Sequence, residues 1–429
     1  MSGGAVFLGI DVGTGGVRAC VINRAEAILA SAHVAMAAPE RDGATLRQDP
    51  QVWWQALESV LDELAIRLNL GRVAALAIDG TSGTILLTDQ AGEPLAAARM
   101  YNDQGAVAQG RRIDQVAPHD SMARGTGGSL ARLLALLDEI GPGRARHALH
   151  QADWIAGRLT GCFGVSDYNN CLKLGFDARA EAWPGWMAGL GFDQALLPRV
   201  GAPGSPLAAV SRESARRFGL APDCRVLRGT TDGNAAFLAA GDFEPGVAVT
   251  SLGSTLTVKL VSKEPVFAPA FGVYSHRLLG RWLAGGASNS GGAAIARYFT
   301  PERIAALTPA LEAERPTGLD YYPLPAPGER FPVADAAKQP NFAPRPADDA
   351  VFLQAILEGI ARIEKEAYDR LAALGATAVR RVSTVGGGAA NAVWTRIRAR
   401  VLDLPVTTAP VTEAAFGAAR LARMGFEHG

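Results

Sequence analysis

The chain has 429 residues, enough at roughly 150 residues per domain for two or three domains with full cores. Its 42 Lys and Arg balance 42 Asp and Glu, which argues against a nucleic-acid binder or other general polyanion partner. The four cysteines are widely spaced, the N-terminus lacks a basic leader, and no apolar run reaches the ~18 residues of a membrane span, so a cytoplasmic globular protein without a disulfide or zinc framework is expected.

In chain order, a first strand at 6–10 runs into Asp11 and the turn Gly13-Thr14-Gly15-Gly16, and a second follows at 17–22. Further strands are predicted at 28–35, 73–78 and 85–87. Between them 50–69 reads as an amphipathic helix, with Asp49 as N-cap and Pro50 in the first turn. This alternation, opening with antiparallel hairpins, predicts an α/β fold with a mixed sheet flanked by helices. After a small-residue helix at 234–240 the second half starts again, with a strand, a tight turn and a strand over 247–262. Helices are predicted at 290–299 and 352–374, a strand at 381–385, a helix at 391–402, a strand at 406–409 and a last helix from Glu413. Two halves that each open on a glycine-turn hairpin predict an internal duplication, with domains 1–241 and 242–429. The proline-rich stretch 323–346 is expected to be an irregular surface loop.

Four constellations bear on chemistry. In Asp11-x-Gly13-Thr14-Gly15-Gly16 the turn amides form a nest for phosphate oxygens, the Thr14 hydroxyl adds a donor, and Asp11 is placed to hold a phosphate-bridging metal. An ordinary Asp-x-Gly hairpin would look the same. Leu252-Gly253-Ser254-Thr255 offers similar amides and hydroxyls without an acid. In Arg228–Asp242 the strand ends near Asp232, at or near the start of an Ala-rich helix whose dipole favours the ionised carboxylate. That position suits a plain N-cap, or a weak base orienting a substrate hydroxyl. Val385–Trp394 runs from a strand through Gly386, Gly387 and Gly388 into a helix, which lets a purine or phosphate lie on backbone or lets strand and helix pack closely. The six histidines form no ligand spacing, at least one of Trp53 and Trp54 reads as core, and no Gly-x-Ser-x-Gly elbow occurs. Thr81-Ser82-Gly83-Thr84 lies at a strand end, where crevices favour ligands.

Taken together, Asp11-x-Gly13-Thr14, Gly-Thr-Thr-Asp-Gly-Asn at 229–234, Ser-Leu-Gly-Ser-Thr at 251–255 and Gly-Gly-Gly-Ala-Ala-Asn at 386–391 resemble the FGGY carbohydrate kinases. The likeness runs along the whole chain, through "QDPQVWWQAL", "ADWIAGRLTGCFGVSDYNN", "PGERFPVAD" and "TEAAFGAARLA". Through "IDGTSGT", "SDYNNCLKLGF", "AVTSLGST" and "GLDYYPLP" it is nearest to the short D-ribulose kinase subfamily. The resemblance implies a duplicated ribonuclease H-like fold (sugar kinase, Hsp70, actin), with a mixed five-stranded sheet in each of two domains and a cleft between them. It implies ATP-dependent phosphorylation of the terminal hydroxyl of a ketopentose, D-ribulose to D-ribulose 5-phosphate, with ATP and Mg²⁺. A small sugar is then the partner, with monomer or homodimer left open.

By matching position, Asp232 is the base toward the sugar hydroxyl, and Asp11 touches the sugar, the two also holding the metal. Gly13, Thr14, Gly253 and Ser254 contact ATP phosphates, while Gly387, Gly388 and Asn391 lie by the adenosine. Ser82 and Asp103 contact the sugar. The chain departs from the family in several places. Thr81-Ser82-Gly83 stands where its xylulose kinases carry Gln-Met-His, Tyr101 replaces the tryptophan before Asn102-Asp103, and the Lys-x-x-Trp signature is not intact around Arg132. The chain is also short for the family. Kinases for D-xylulose, L-ribulose or ribitol are the alternatives. An actin- or Hsp70-like ATPase, which would hydrolyse ATP without sugar, is the rival from another class.

Overall fold

A computed structural model describes residues 4–428. Strand β1 (Val6–Val12) is buried along its whole length, as a continuous apolar run in a doubly covered sheet should be. It pairs antiparallel with β2 (Gly16–Ile22), which pairs antiparallel with β3 (Ile28–Ala35). Helix α1 (Pro50–Arg67) begins where Asp49 accepts the Gln51 N–H at 3.0 Å, and it buries Trp53, Leu57, Val60 and Leu64. On the other side of β1 come β4 (Val73–Gly80) and β5 (Arg225–Thr231), both parallel to it, and helix α2 (Asp232–Ala240) follows directly.

The second unit repeats this plan. Strands β6 (Val247–Leu252), β7 (Leu256–Ser262) and β8 (Arg281–Ser288) are antiparallel neighbours. Helices α3 (Gly292–Ala296) and α4 (Asp349–Ala373) precede β9 (Arg381–Val385), helix α5 (Ala392–Leu402) and β10 (Val406–Thr408). Strand β9 is parallel to β6, and β10 to β9. The two sheets therefore share one order, β3-β2-β1-β4-β5 and β8-β7-β6-β9-β10. Among the described residues each has six strands rather than the five expected. The extra strand lies at opposite edges, Pro206–Ala209 beside β5 and Tyr274–Leu278 beside β8.

Helix α6 (Ala414–His428) departs from the expected division at residue 241. The first unit ends at Ala239 but also takes in Arg277–Leu279 and the chain from Thr412, while the second comprises Ala240–His276 and Gly280–Val411. The reason is visible at Gly9, where a Cβ would fall 2.0 Å from the Ala415 carbonyl oxygen and 2.2 Å from the Ala419 nitrogen. Only glycine lets α6 lie this close on β1. The helix expected over 290–299 is shorter, Gly292–Ala296, and a separate one begins at Pro301, capped by Thr300. The proline-rich stretch carries no helix or extended strand, yet Phe331 within it is buried. Among the described residues no helix is long and apolar enough to cross a membrane.

Candidate active site

Parallel pairing builds the site. Asp11 on β1 lies in register with Asp79 on β4, and Asp79 with Thr230 on β5. The carboxyl ends of these strands converge, which is where open α/β sheets receive ligands. Asp232 opens α2 immediately after β5 and is half-buried there, and its Oδ1 accepts the Gly233 N–H at 2.6 Å. Asp11 is buried, and Arg18 donates to its Oδ2 at 3.1 Å.

Asp79 was not singled out in the sequence, although "AIDG" repeats the "GIDV" of β1 in register. It is fully buried, and neither carboxyl oxygen meets a protein N–H or neutral O–H donor. Burial, then the charges of Asp11 and Asp232, hold its carboxyl well above the ordinary range, with Arg18 opposing. Folding therefore strengthens its hold on the proton, with Asp11 as the acceptor beside it. The unfolded chain gives up that proton above the ordinary carboxylate pKa of about 4. The group's contribution to stability is thus complete below that pKa and declines as pH rises toward the folded value. Asp79→Asn removes the decline, so the metal-free variant is expected to gain thermal stability over the parent as pH is raised from about 4 to 7. A constant gap between the two melting temperatures would refute the buried proton.

The β1–β2 turn is closed by Gly13 N–H to Gly16 O at 3.0 Å, and Gly13 and Thr14 stay partly exposed. In the tetrad after β4 the threonines are committed to the fold. Gln151 Oε1 accepts from Thr81 N–H and Oγ1, and the Thr81 and Thr84 hydroxyls lie 2.6 Å apart. Gly83 has φ +104°. Fully buried Arg132 donates to the carbonyls of Gly83, Tyr101 and Thr126, which shapes the loop, and burial lowers its pKa to about 10. Ser82 alone of the four stays partly exposed. Its carbonyl accepts from Lys173 Nζ at 3.5 Å. Burial and Arg132 lower the Lys173 pKa while the charge of Asp232 opposes the shift. Lys173 lay unrecognised inside "NNCLKLGF".

Asp103 differs from its expected role. It is fully buried, and its carboxylate accepts from Leu46 N–H at 2.7 Å, Gly105 N–H at 2.9 Å and Arg99 at 3.2 Å. In this arrangement it anchors the loop and presents no surface to a sugar. His150, also fully buried, has Nδ1 3.1 Å from Asp153 and Nε2 3.4 Å from Ser129. That order matches a catalytic triad, but here it caps the helix Gln151–Thr160 out of reach of solvent.

In the second unit the turn Gly253–Thr255 rests on the start of α3, with Gly292 N–H donating to Gly253 O at 2.9 Å and Ala293 N–H to Ser254 O at 3.0 Å. Next to β6 the triple glycine divides its work. A Cβ on Gly386 (φ +84°) would lie 2.7 Å from Leu252 O, and one on Gly388 2.5 Å from the Trp394 ring. Gly387 has open space. Asn391 caps α5 by accepting the Trp394 N–H at 3.0 Å. Gly388 and Asn391 thus serve packing and capping in the fold, whereas Ser254 and Gly387 are exposed and Gly253, its N–H donating to Thr255 O at 3.2 Å, is partly so.

Among the described residues no group of three or more His, Cys, Asp or Glu could hold a metal unaided. Asp11 and Asp232, with Asp79 beside them, fit the one or two carboxylates that Mg²⁺ takes while phosphate and water complete its shell.

The family model described as the N-terminal domain of the FGGY family of carbohydrate kinases matches residues 6–239, and that of its C-terminal domain matches 248–426. A xylulose kinase from Streptomyces coelicolor is 28% identical over 434 residues, covering 97% of this chain and 87% of the relative. One from Streptomyces rubiginosus is 32% identical over 274 residues, covering 61% of this chain and 55% of the relative. A solved structure, described as a xyloylose kinase from Brucella ovis, superposes with TM-score 0.86 at 24% identity, covering 99% of this chain and 91% of that one.

Proposed function

The chain belongs to the FGGY family of carbohydrate kinases and so is an enzyme that phosphorylates a sugar, and from that premise we propose that it transfers the γ-phosphoryl of ATP to the terminal hydroxyl of D-ribulose. The observation that carries this reading is the gathering of Asp11, Asp79, Asp232, Lys173 and Ser82 at the strand ends of the first unit. Asp232, on a helix N-terminus, accepts the proton of the attacking hydroxyl. Phosphoryl transfer through a loose transition state needs positioning more than strong proton abstraction, and a half-buried carboxylate suffices. Asp11 orients the sugar, and with Asp232 would hold Mg²⁺; when bound, that ion would neutralise charge on the phosphates. In the β1–β2 turn the Gly13 N–H is spent on Gly16 O, so the amide and hydroxyl of Thr14 are the proposed phosphate donors there.

The ketose assignment draws on the tetrad. Its threonines and glycine are buried, so Ser82 is the side chain left to meet a sugar, in place of the bulkier Gln-Met-His. D-xylulose is the second reading, favoured by the relatives that bear that name. ADP release with Mg-ATP separates the two across D-ribulose, D-xylulose, L-ribulose, ribitol, glycerol and a no-sugar control. D-ribulose is expected to lead in kcat/KM by at least about tenfold, which corresponds to ~1.4 kcal/mol of transition-state discrimination. A lead for D-xylulose would keep the mechanism and replace the substrate. Release indifferent to every sugar would overturn the reading.

A further inference from the structure

We infer that Lys173 is a specificity residue for the sugar: its ammonium donates to the carbonyl oxygen of a bound ketose, and so favours ketoses over the matching polyols. This role rests on the proposed contact of Ser82 with the sugar. The backbone around the lysine is fixed from two elements. Lys173 is the C-cap of the short helix Tyr168–Leu172, and that helix is fastened to the end of β5. There Asn169 Nδ2 donates to Thr230 Oγ1 at 3.0 Å and Asn170 Nδ2 to Thr230 O at 3.3 Å. The Lys173 carbonyl accepts the Leu130 N–H at 3.3 Å. From this anchor the stem runs past Gly83, where a Cβ would stand 3.8 Å from Lys173 Cδ, and Nζ arrives 3.5 Å from the Ser82 carbonyl oxygen.

The fold leaves donors of this group unspent. Its acceptor is the Ser82 carbonyl, at the far end of hydrogen-bond distance, and among the described residues it joins no carboxylate in an ion pair. Arg132, the cation that acts on it, is committed to the loop, its guanidinium donating to the carbonyls of Gly83, Tyr101, Asp103 and Thr126. A lysine that serves only to cover apolar surface keeps its head in water. Lys173 is half-buried instead, and its head turns to the one residue of the tetrad that stays partly exposed. The chemistry of the donors selects the partner. An ammonium only donates and a carbonyl oxygen only accepts, so the two match with no proton left to place. A polyol hydroxyl at the same carbon brings a proton that needs a further acceptor. The carbonyl also lies several bonds from the terminal hydroxyl that takes the phosphoryl group. Its contact with Lys173 is then the same in ground and transition states and belongs in KM rather than kcat.

Lys173→Met tests the role, because it keeps an unbranched apolar stem and removes the donors. Steady-state ADP release is compared for the ketose the parent prefers and for its polyol, D-ribulose with ribitol or D-xylulose with xylitol. A polyol that is not turned over is read as a competitive inhibitor. The parent's choice of ketose tests the D-ribulose reading, and the variant tests Lys173, so the two can fail separately. The variant is expected to raise the KM for the ketose by about tenfold or more, with kcat and the polyol constant each within about threefold of the parent. Its melting temperature should be no lower than the parent's, since a half-buried cation without an ion pair has been removed. An unchanged ketose KM, whatever the effect on kcat, would overturn the assignment. Equal losses with ketose and polyol would overturn it too, because a merely structural lysine would weaken both alike.

Discussion

Asp232→Asn is expected to lower kcat by roughly 10²- to 10⁴-fold, the usual worth of a positioned general base, with little change in KM for sugar and a rise in the apparent KM for Mg-ATP from the lost metal ligand. Asparagine is the informative choice, because its side-chain oxygen can still accept the Gly233 N–H that Asp232 Oδ1 takes at 2.6 Å. The helix start is then preserved while the proton acceptor and the anion are lost. Lys173 should respond as well. The Asp232 charge favours its ammonium, so the variant leaves burial and Arg132 unopposed on that side. Asp11→Asn provides the contrast. It removes the partner of Arg18 and the other proposed metal ligand but leaves the base, so the apparent KM for Mg-ATP is expected to rise with a smaller loss of kcat than in Asp232→Asn. Steady-state ADP release, with circular dichroism to verify folding, reads both variants. Turnover of Asp232→Asn within tenfold of the parent would remove the base role.

What the sequence revealed, and what it concealed, follows from the range of the interactions. Strands 28–35 and 381–385 were legible to the residue because an apolar β-branched run bounded by polar turns is a local signal. The shared sheet order was foreshadowed by the paired glycine turns at residues 13 and 253. The edge strands were not, since Pro206–Ala209 has no alternating pattern and becomes a strand by pairing with β5. The return of α6 to the first unit depends on Gly9 meeting Ala415 and Ala419, a contact with no local trace in the sequence. The site divided in the same way. Asp11 and Asp232 stood out beside glycine turns. Asp79 acquires significance only through its register with Asp11, and Lys173 only through the fold that brings it to Ser82. Asp103 looked like a ligand residue because an Asn-Asp pair says nothing about which donors the fold will aim at it. Leu46, Gly105 and Arg99 occupy it.

The largest stability effect is expected at Glu364, far along α4 from any glycine turn. Glu364 and Arg398 are both fully buried and joined in a bidentate pair, Nε to Oε2 and Nη2 to Oε1, each at 2.6 Å. Thr250 Oγ1 donates to Glu364 Oε1 at 2.5 Å and lies 2.7 Å from the Tyr368 hydroxyl, while Arg398 Nη1 donates to Thr384 Oγ1 at 2.5 Å. Thr250 and Thr384 are register partners on β6 and β9, so the network ties α4 and α5 to two neighbouring parallel strands of the second unit. Burial alone would pull the Arg398 pKa down, but the Glu364 carboxylate outweighs it and the guanidinium stays charged. Glu364→Gln leaves that buried cation with a neutral partner, at a cost of about 3–5 kcal/mol. For a unit of this size that should lower its melting temperature by roughly 6–20 °C. The pair itself need not be worth as much, because desolvating two ions offsets most of their attraction. The double variant Glu364→Leu with Arg398→Met is therefore expected to recover a large part of the loss, which differential scanning calorimetry can resolve as a strongly non-additive cycle. A single variant melting within about 1 °C of the parent would show that the cation finds another partner. Additive losses in the double would show that the two threonines and Tyr368, rather than the charges, hold the strands to the helices.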